Sequence, residues 1–306
     1  MPTPAFPPPP AHTAPLPRPF PGAGGTRLLR AVPYAAIPGI RPLELDLYLP
    51  PEVGTAAPLV VFLHGGGWRL GSRQALGPSY AGVSPHPFEV VAQAGIAVAS
   101  VDYRLSGEAT WPAQLHDAKA AVRWLRERSG ELDLDPDRIA AWGESAGGHL
   151  AELLGLVTDP ALEGEIGVTG PSSAVAAVAA WYAPSDVAAV ATDNGGDPDA
   201  PDSREAQLLG AAPPSVPGRA AEASPLSHVS PAAPPVLLLH GQADRFVSCR
   251  QSERLRDALT AAGTDVELHT YDGADHMWLG APDAAAHALD HTVAFLRRHL
   301  IEGNRT

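Results

Sequence analysis

An α/β fold built on a doubly wound, mostly parallel eight-stranded sheet is predicted for this 306-residue chain. Three observations carry the prediction. Continuous apolar runs of strand length alternate with helical patterns. The pentapeptide Gly143-Glu144-Ser145-Ala146-Gly147 joins the apolar strand Arg138–Trp142 to a small-residue helical stretch, Gly147–Leu154. Every candidate catalytic residue falls at the carboxyl end of a strand segment, where open parallel sheets bind ligands.

The elements follow in order. Residues 1–24 hold ten prolines, Pro7 to Pro10 among them. Proline removes backbone donors and favours extended polyproline geometry, so a disordered, loosely attached arm is expected there. Arg27–Val32 and the strictly alternating Leu43–Leu49 predict opening antiparallel strands with one buried face. Leu59–Leu63 and Ile96–Tyr103 are continuous apolar runs suited to central parallel strands, with a helix at Pro87–Ala94 between them. Pro112–Arg128 carries an apolar stripe at Leu115, Ala118, Val122 and Leu125, the spacing of a helix. Strands at Arg138–Trp142, Val175–Trp181, 235–239 and 265–271 and a terminal helix at Pro282–Leu300 complete the pattern.

Residues 184–234 stand apart, rich in Pro, Gly, Asp and Ala with one short helical stretch, Ser203–Leu209. A connection this long inside a compact unit is usually functional, so a small lid or insertion over the site is expected. The expected organisation is thus an arm over 1–24 and one domain over 25–303 that contains the 184–234 insertion. No internal repeat is present.

Composition narrows the function classes. Hydrophobic residues make up 45% of the chain, enough for a large core without disulfides or metals. A formal net charge of -13 argues against nucleic acid, whose binding needs clustered Lys and Arg. The single Cys, Cys249, allows no internal disulfide and reads as a small filler near a helix start. No stretch approaches the roughly 18 consecutive apolar residues of a membrane span, and no basic-then-apolar leader opens the chain. A soluble, cytoplasmic protein is expected. No His or Cys pair has metal-ligand spacing and no Gly-rich loop fits a nucleotide, so no metal and no cofactor are inferred.

The motifs point to nucleophilic catalysis. Glycines on both sides of Ser145 allow a sharp strand-to-helix turn that holds the hydroxyl clear of the sheet. Leu59–Leu63 runs into His64-Gly65-Gly66-Gly67-Trp68, which has the form of an oxyanion loop. Downstream, one strand ends in His240-Gly241-Gln242-Ala243-Asp244, and another leads to Gly273-Ala274-Asp275-His276. The order oxyanion loop, Ser, Asp, His is that of the α/β-hydrolases, not of chymotrypsin or subtilisin.

With these motifs the chain resembles the esterases of that fold that carry HGGG and GESAGG sequences, both hormone-sensitive-lipase-like and bacterial feruloyl-esterase-like. Val101-Asp102-Tyr103-Arg104-Leu105, Gly143–Ala151 and Ala223-Ser224-Pro225-Leu226-Ser227 extend the likeness, which covers roughly residues 40–300. Only the proline-rich arm and two strands precede His64, too little for the helical N-terminal cap of the lipase-like branch, which favours the shorter feruloyl-esterase-like one. The His64–Trp68 sequence is also similar to that of kynurenine formamidases. The resemblance implies a serine carboxylic-ester hydrolase working through an acyl-enzyme on small or aryl esters. The alternatives are an arylformamidase with the same triad and a non-catalytic binding module on a hydrolase scaffold. A small-molecule ester or aryl amide is the expected partner, with no nucleic acid and no membrane, and a homodimer is the assembly considered.

Each role has a structural rival. Ser145 is the candidate nucleophile, against a helix-capping serine. His276 is the candidate base and Asp244 the carboxylate that orients it, with Asp272 and Asp275 as competitors. Gly66, Gly67 and Ala146 are expected to supply the backbone N–H groups of an oxyanion hole. His64 reads as a brace of the oxyanion loop, Glu144 and His149 as supports of the serine turn with a place facing the substrate as the alternative for either, and Asp102 with Arg104 as a structural charge cluster. Trp68, Tyr103, Trp181, Phe246 and Trp278 are the aromatics expected to line a substrate pocket, each weighed against a place in the core.

Overall fold

The computed structural model describes residues 13–52 and 54–303. Three antiparallel strands open the chain: β1 (Phe20–Pro21), β2 (Arg27–Ala35) and β3 (Leu43–Leu49). The parallel part follows as β4 (Ala57–Leu63), α1 (Pro87–Gln93), β5 (Ala97–Val101), α2 (Ala113–Glu127), the single turn α3 (Ser129–Leu132), β6 (Leu134–Glu144) and α4 (Ala146–Leu156). Then come β7 (Val178–Trp181), the insertion helices α5 (Val190–Asp193), α6 (Arg204–Leu209) and α7 (Pro217–Glu222), β8 (Val236–Gly241), α8 (Arg250–Ala261), β9 (Val266–Tyr271) and α9 (Ala284–Arg297). The sheet order is β1-β2-β3-β5-β4-β6-β7-β8-β9. Nine strands stand where eight are expected, the extra one being the two-residue β1.

Alternation along the central strands divides the core in two, because successive side chains leave opposite faces of a sheet. Leu59, Val61 and Leu63 of β4 face one side with Leu115 and Leu125 of α2, Leu150 and Leu153 of α4, and Leu255 and Leu259 of α8. Val60 and Phe62 face the other, with Phe88 of α1 and Phe295 and Leu296 of α9. Both faces being covered, β4 is buried along its whole length, which is why its sequence lacks polar alternation. Trp142 and Trp181 fill the second layer edge to face, with ring centroids 5.0 Å apart.

The expectation of an unattached arm over residues 1–24 fails for its second half. Phe20 pairs with Leu28 and Pro21 with Arg27 at the sheet edge, where a missing proline N–H breaks no central ladder. Ala23 donates its N–H to Glu89 Oε1, its carbonyl accepts from Gln93 Nε2, and Leu16 packs on the core. The domain thus begins before residue 25; residues 1–12 of the expected arm lie outside the described residues.

The 184–234 connection is also more ordered than expected. Besides α6 it holds α5, α7 and the 3-10 turns Pro213–Ser215 and Pro225–His228. Prolines in the first turn of α7 and of both 3-10 turns explain this, since proline pre-sets helical φ where no N–H is needed. Cys249 is the residue before α8. No helix among the described residues is long and apolar enough to cross a membrane.

Candidate active site

The strands β4, β6, β7, β8 and β9 are consecutive neighbours, so the loops at their carboxyl ends converge. Ser145 sits between β6 and α4 with φ 53° and ψ -120°, a left-handed backbone that costs a non-glycine residue about 1–3 kcal/mol. Close approach explains its neighbours. A Cβ on Gly143 would lie 2.2 Å from the Gly147 carbonyl oxygen, and one on Gly147 would lie 2.0 Å from that of Leu63. The turn is held by Ser145 N–H donating to the Trp181 carbonyl at 2.8 Å. Trp68, Tyr182, Met277 and Trp278 share the positive φ of Ser145, so non-glycine strain gathers in the segments that meet here.

The structure brings Ser145, His276 and Asp244 into one hydrogen-bonded chain. Ser145 Oγ lies 2.9 Å from His276 Nε2, and His276 Nδ1 lies 2.7 Å from Asp244 Oδ2. The other oxygen of Asp244 accepts from the N–H groups of Phe246 and Val247, each at 2.8 Å. Burial works to raise the pKa of this carboxyl, but hydrogen bonds from His240 and His276, and the favourable electrostatic interaction with both rings, overcome it and hold the group well below the usual carboxylate range. The competitors are placed elsewhere: Asp275 accepts from Arg245 and from the N–H of His276, and Asp272 is exposed.

The N–H groups of Gly66, Gly67 and Ala146 donate to no acceptor among the described residues. Gly66 and Gly67 line the cavity in front of Ser145, and both have positive φ, at 118° and 60°. His64 braces this loop. Its Nδ1–H donates to the Gly65 carbonyl at 2.7 Å, and its ring stacks on Tyr103, whose hydroxyl donates to the His64 carbonyl. Burial lowers the His64 pKa to about 4, so the ring is neutral. Trp68 is pinned by donating from Nε1 to His149 Nδ1, while His149 Nε2–H donates to the Ala223 carbonyl, tying oxyanion loop, α4 and insertion together. His149, likewise lowered to about 4 by burial, has no free edge for chemistry.

A cavity of about 760 Å³ opens over Ser145 and His276, within the range of small-molecule sites. Its walls correct two expectations. Of the five aromatics expected to line it, only Phe246 does. Trp68, Tyr103, Trp181 and Trp278 are all buried, and Trp181 Nε1 is spent on Thr292. Rings this large fill the layers between sheet and helices, and being near a motif in sequence does not turn them toward solvent. Tyr182, directly after β7, and Tyr80 are the tyrosines of the wall that sequence reasoning missed. The second correction concerns the lid. The insertion contributes Arg204 alone, whereas the segment after the oxyanion loop supplies Leu70, Leu76, Tyr80 and their neighbours.

That segment is fixed by charge. Arg73 Nη1 pairs with Asp102 at 2.6 Å and Nε with Asp46 at 2.8 Å, and Ser100 Oγ donates to the Arg73 carbonyl. Asp102 is thus a structural charge, as expected, though its partners are Arg73 and Arg41; Arg104 pairs instead with Asp117. Glu144 joins the same wall to the elbow, accepting from Gly77 N–H at 3.2 Å and Tyr182 hydroxyl at 2.7 Å.

The model of the BD-FAE family matches residues 45–259. The chain belongs to the BD-FAE family. Among curated proteins, this BD-FAE chain is 32% identical over 238 residues to Esterase LipQ of Mycobacterium tuberculosis, an alignment that takes in 76% of the chain and 52% of LipQ. The chain thus spans about half the length of that relative. Among solved structures, a truncated carbohydrate esterase from gut microbiota superposes with TM-score 0.79 at 29% identity, over 91% of this chain and 98% of that one. Esterase Est2 of the planctomycete Thermogutta terrifontis gives 0.71 at 28% identity, over 90% and 92% of the two chains. The same Thermogutta esterase is known phosphorylated by paraoxon. The fold of the BD-FAE chain is accordingly the α/β-hydrolase fold, and its resemblance to hormone-sensitive-lipase-like and feruloyl-esterase-like proteins holds.

Proposed function

We propose that the chain is a serine carboxylic-ester hydrolase that works through an acyl-enzyme on small or aryl esters. The observation that carries the reading is the unbroken sequence of hydrogen bonds from Ser145 Oγ through His276 to Asp244, facing a cavity with unengaged N–H groups. In this reading Ser145 Oγ attacks the ester carbonyl as its proton passes to His276 Nε2. The tetrahedral oxyanion accepts hydrogen bonds from Gly66, Gly67 and Ala146, which need no reorganisation because no protein group occupies them. His276 then protonates the departing alcohol, and water, deprotonated by the same nitrogen, releases the acid. Asp244 holds the ring orientation and stabilises the imidazolium.

The named relatives are esterases, which supports an ester over an amide substrate. The arylformamidase reading gains nothing from Trp68, the residue of its motif, because that ring is buried against His149 and does not line the cavity. Apolar walls at Leu70, Leu76, Phe246 and Met277 suit a short acyl chain or an aryl group. The cytoplasm is the location consistent with this reading, and cell fractionation tests it. A fluorophosphonate probe tests the chemistry: labelling is expected on wild type at Ser145 and absent in Ser145→Ala, together with turnover of p-nitrophenyl esters. Labelling that survives the substitution would place the nucleophile elsewhere.

A further inference from the structure

Two cations stand at the cavity without a carboxylate. Arg204, the first residue of α6, lays its side-chain stem across the oxyanion loop, so that a Cβ on Gly67 would meet Arg204 Cδ at 2.6 Å. Its guanidinium stands over the Phe246 ring, 5.0 Å from the centroid, and that ring in turn lies 5.5 Å from His276. The charge is thereby held between the oxyanion loop and the catalytic histidine. Arg69, exposed, lines the same cavity. Neither has an ion-pair partner among the described residues, in a chain with 34 acidic and 21 basic side chains where Arg41, Arg73, Arg104, Arg123 and Arg254 all find one. Glu144, the one carboxylate that lines the cavity, is buried, with its oxygens already taken by Tyr182, Gly77 and Gly65.

We propose that the ester taken by this cavity carries a carboxylate, recognised by Arg204 with Arg69 as a second positive charge. The proposal rests on the ester-hydrolase reading and deepens it. A guanidinium already laid on an aromatic face has lost part of its hydration and its freedom. Its unengaged N–H groups form a planar fork matched to a carboxylate, and the acid gains a charge-assisted pair without displacing a protein partner. The Arg204 side chain lies against the loop that carries Gly66 and Gly67, so an acid bound there would also set where the scissile carbonyl rests. The apolar wall at Leu70 and Phe246 fits the carbon skeleton between ester and acid. Arg204 in this role is a specificity residue and takes no proton.

Matched pairs of esters test it. 4-Acetoxybenzoate against 4-acetoxybenzamide places the acid on the leaving group; p-nitrophenyl monoesters of adipic acid and of its monoamide place it on the acyl group. In one of the two pairs the acid is expected to be preferred in kcat/KM by roughly tenfold, the size of one charge-assisted hydrogen bond. In Arg204→Met, which keeps an unbranched stem over Gly67, that ratio should fall toward one; Arg204→Lys should restore part of it and Arg204→Glu invert it. Added salt should weaken the wild-type preference. Equal or better turnover of the amide in both pairs, or a ratio unchanged in Arg204→Met, overturns the proposal while the esterase reading stands. If no ester turns over and Ser145 takes no fluorophosphonate, that reading falls instead. The cation is then read by melting with benzoate and with benzamide. A benzoate-specific shift lost in Arg204→Met supports the anion site, and no such shift overturns it.

Discussion

The Tyr182 hydroxyl donates a 2.7 Å hydrogen bond to Oε2 of Glu144, joining the residue after β7 to the residue before Ser145. Tyr182 also sets its ring edge to face against His276, 4.6 Å between centroids. Burial raises the pKa of the Glu144 carboxyl, while the Tyr182 hydroxyl and the Gly77 and Gly65 amides act to lower it. Removing the hydroxyl leaves a buried carboxyl short of a donor. Tyr182→Phe is expected to cost about 1–3 kcal/mol, a fall in Tm of several degrees. A thermal melt checks it, and a variant that melts with wild type would show the bond to be unimportant.

Asp244→Asn should keep the geometry but offer His276 a weaker and wrongly matched partner. Turnover of a p-nitrophenyl ester is expected to drop roughly 10³–10⁴-fold with a smaller change in KM. Steady-state kinetics decide, and turnover near wild type would transfer the role to Asp275.

Glu152, on α4, is fully buried, and neither of its carboxylate oxygens has a hydrogen-bond partner among the described residues. Burial alone pushes its pKa well above the ordinary value of 4.5. Because the folded state holds this proton more tightly than the unfolded chain, the group stabilises the fold fully below about pH 4.5. That contribution is lost as pH rises through the folded value, at up to about 1.4 kcal/mol per pH unit. Melting curves from pH 5 to 8 should therefore show Glu152→Gln gaining on wild type as pH rises. A constant difference would show that the carboxyl titrates normally.

Removal of residues 1–25 should lower Tm by a few degrees. The truncation deletes the β1 pairing, both bonds to Ala23, and the carbonyl of Ala14 that accepts from Arg128 Nη1. Losses of about 1–2 kcal/mol follow from so few, partly exposed contacts. An unchanged melt would restore the view of the arm as a loose tail.

Legibility in the sequence followed the strength of local constraint. Ser145, Asp244 and His276 each stand at or within a few residues of the carboxyl end of a strand, in a glycine-containing motif, so their convergence could be read from their order along the chain. The sheet was legible for the same reason, down to the two faces of β4. The cavity wall was not, because Leu70 to Gly82 has no period to detect and is positioned by Arg73 reaching Asp46 and Asp102, residues 27 and 29 positions away. Nor could neighbouring sequence tell that Tyr182 would line the cavity while Trp181 turned to Thr292, since that depends on which face of the sheet each side chain takes.

Ser145 and His276 are 131 positions apart along the chain, and Asp244 and His276 are 32 apart. The three meet only once β6, β7, β8 and β9 lie side by side, so no fragment shorter than half the domain can hold them in register. Closing such distant contacts is the slow part of forming a fold. The hydrogen bond between Ser145 and His276 therefore exists only where the strands from β6 to β9 have assembled, and a molecule without that assembly holds a serine hydroxyl with no imidazole beside it.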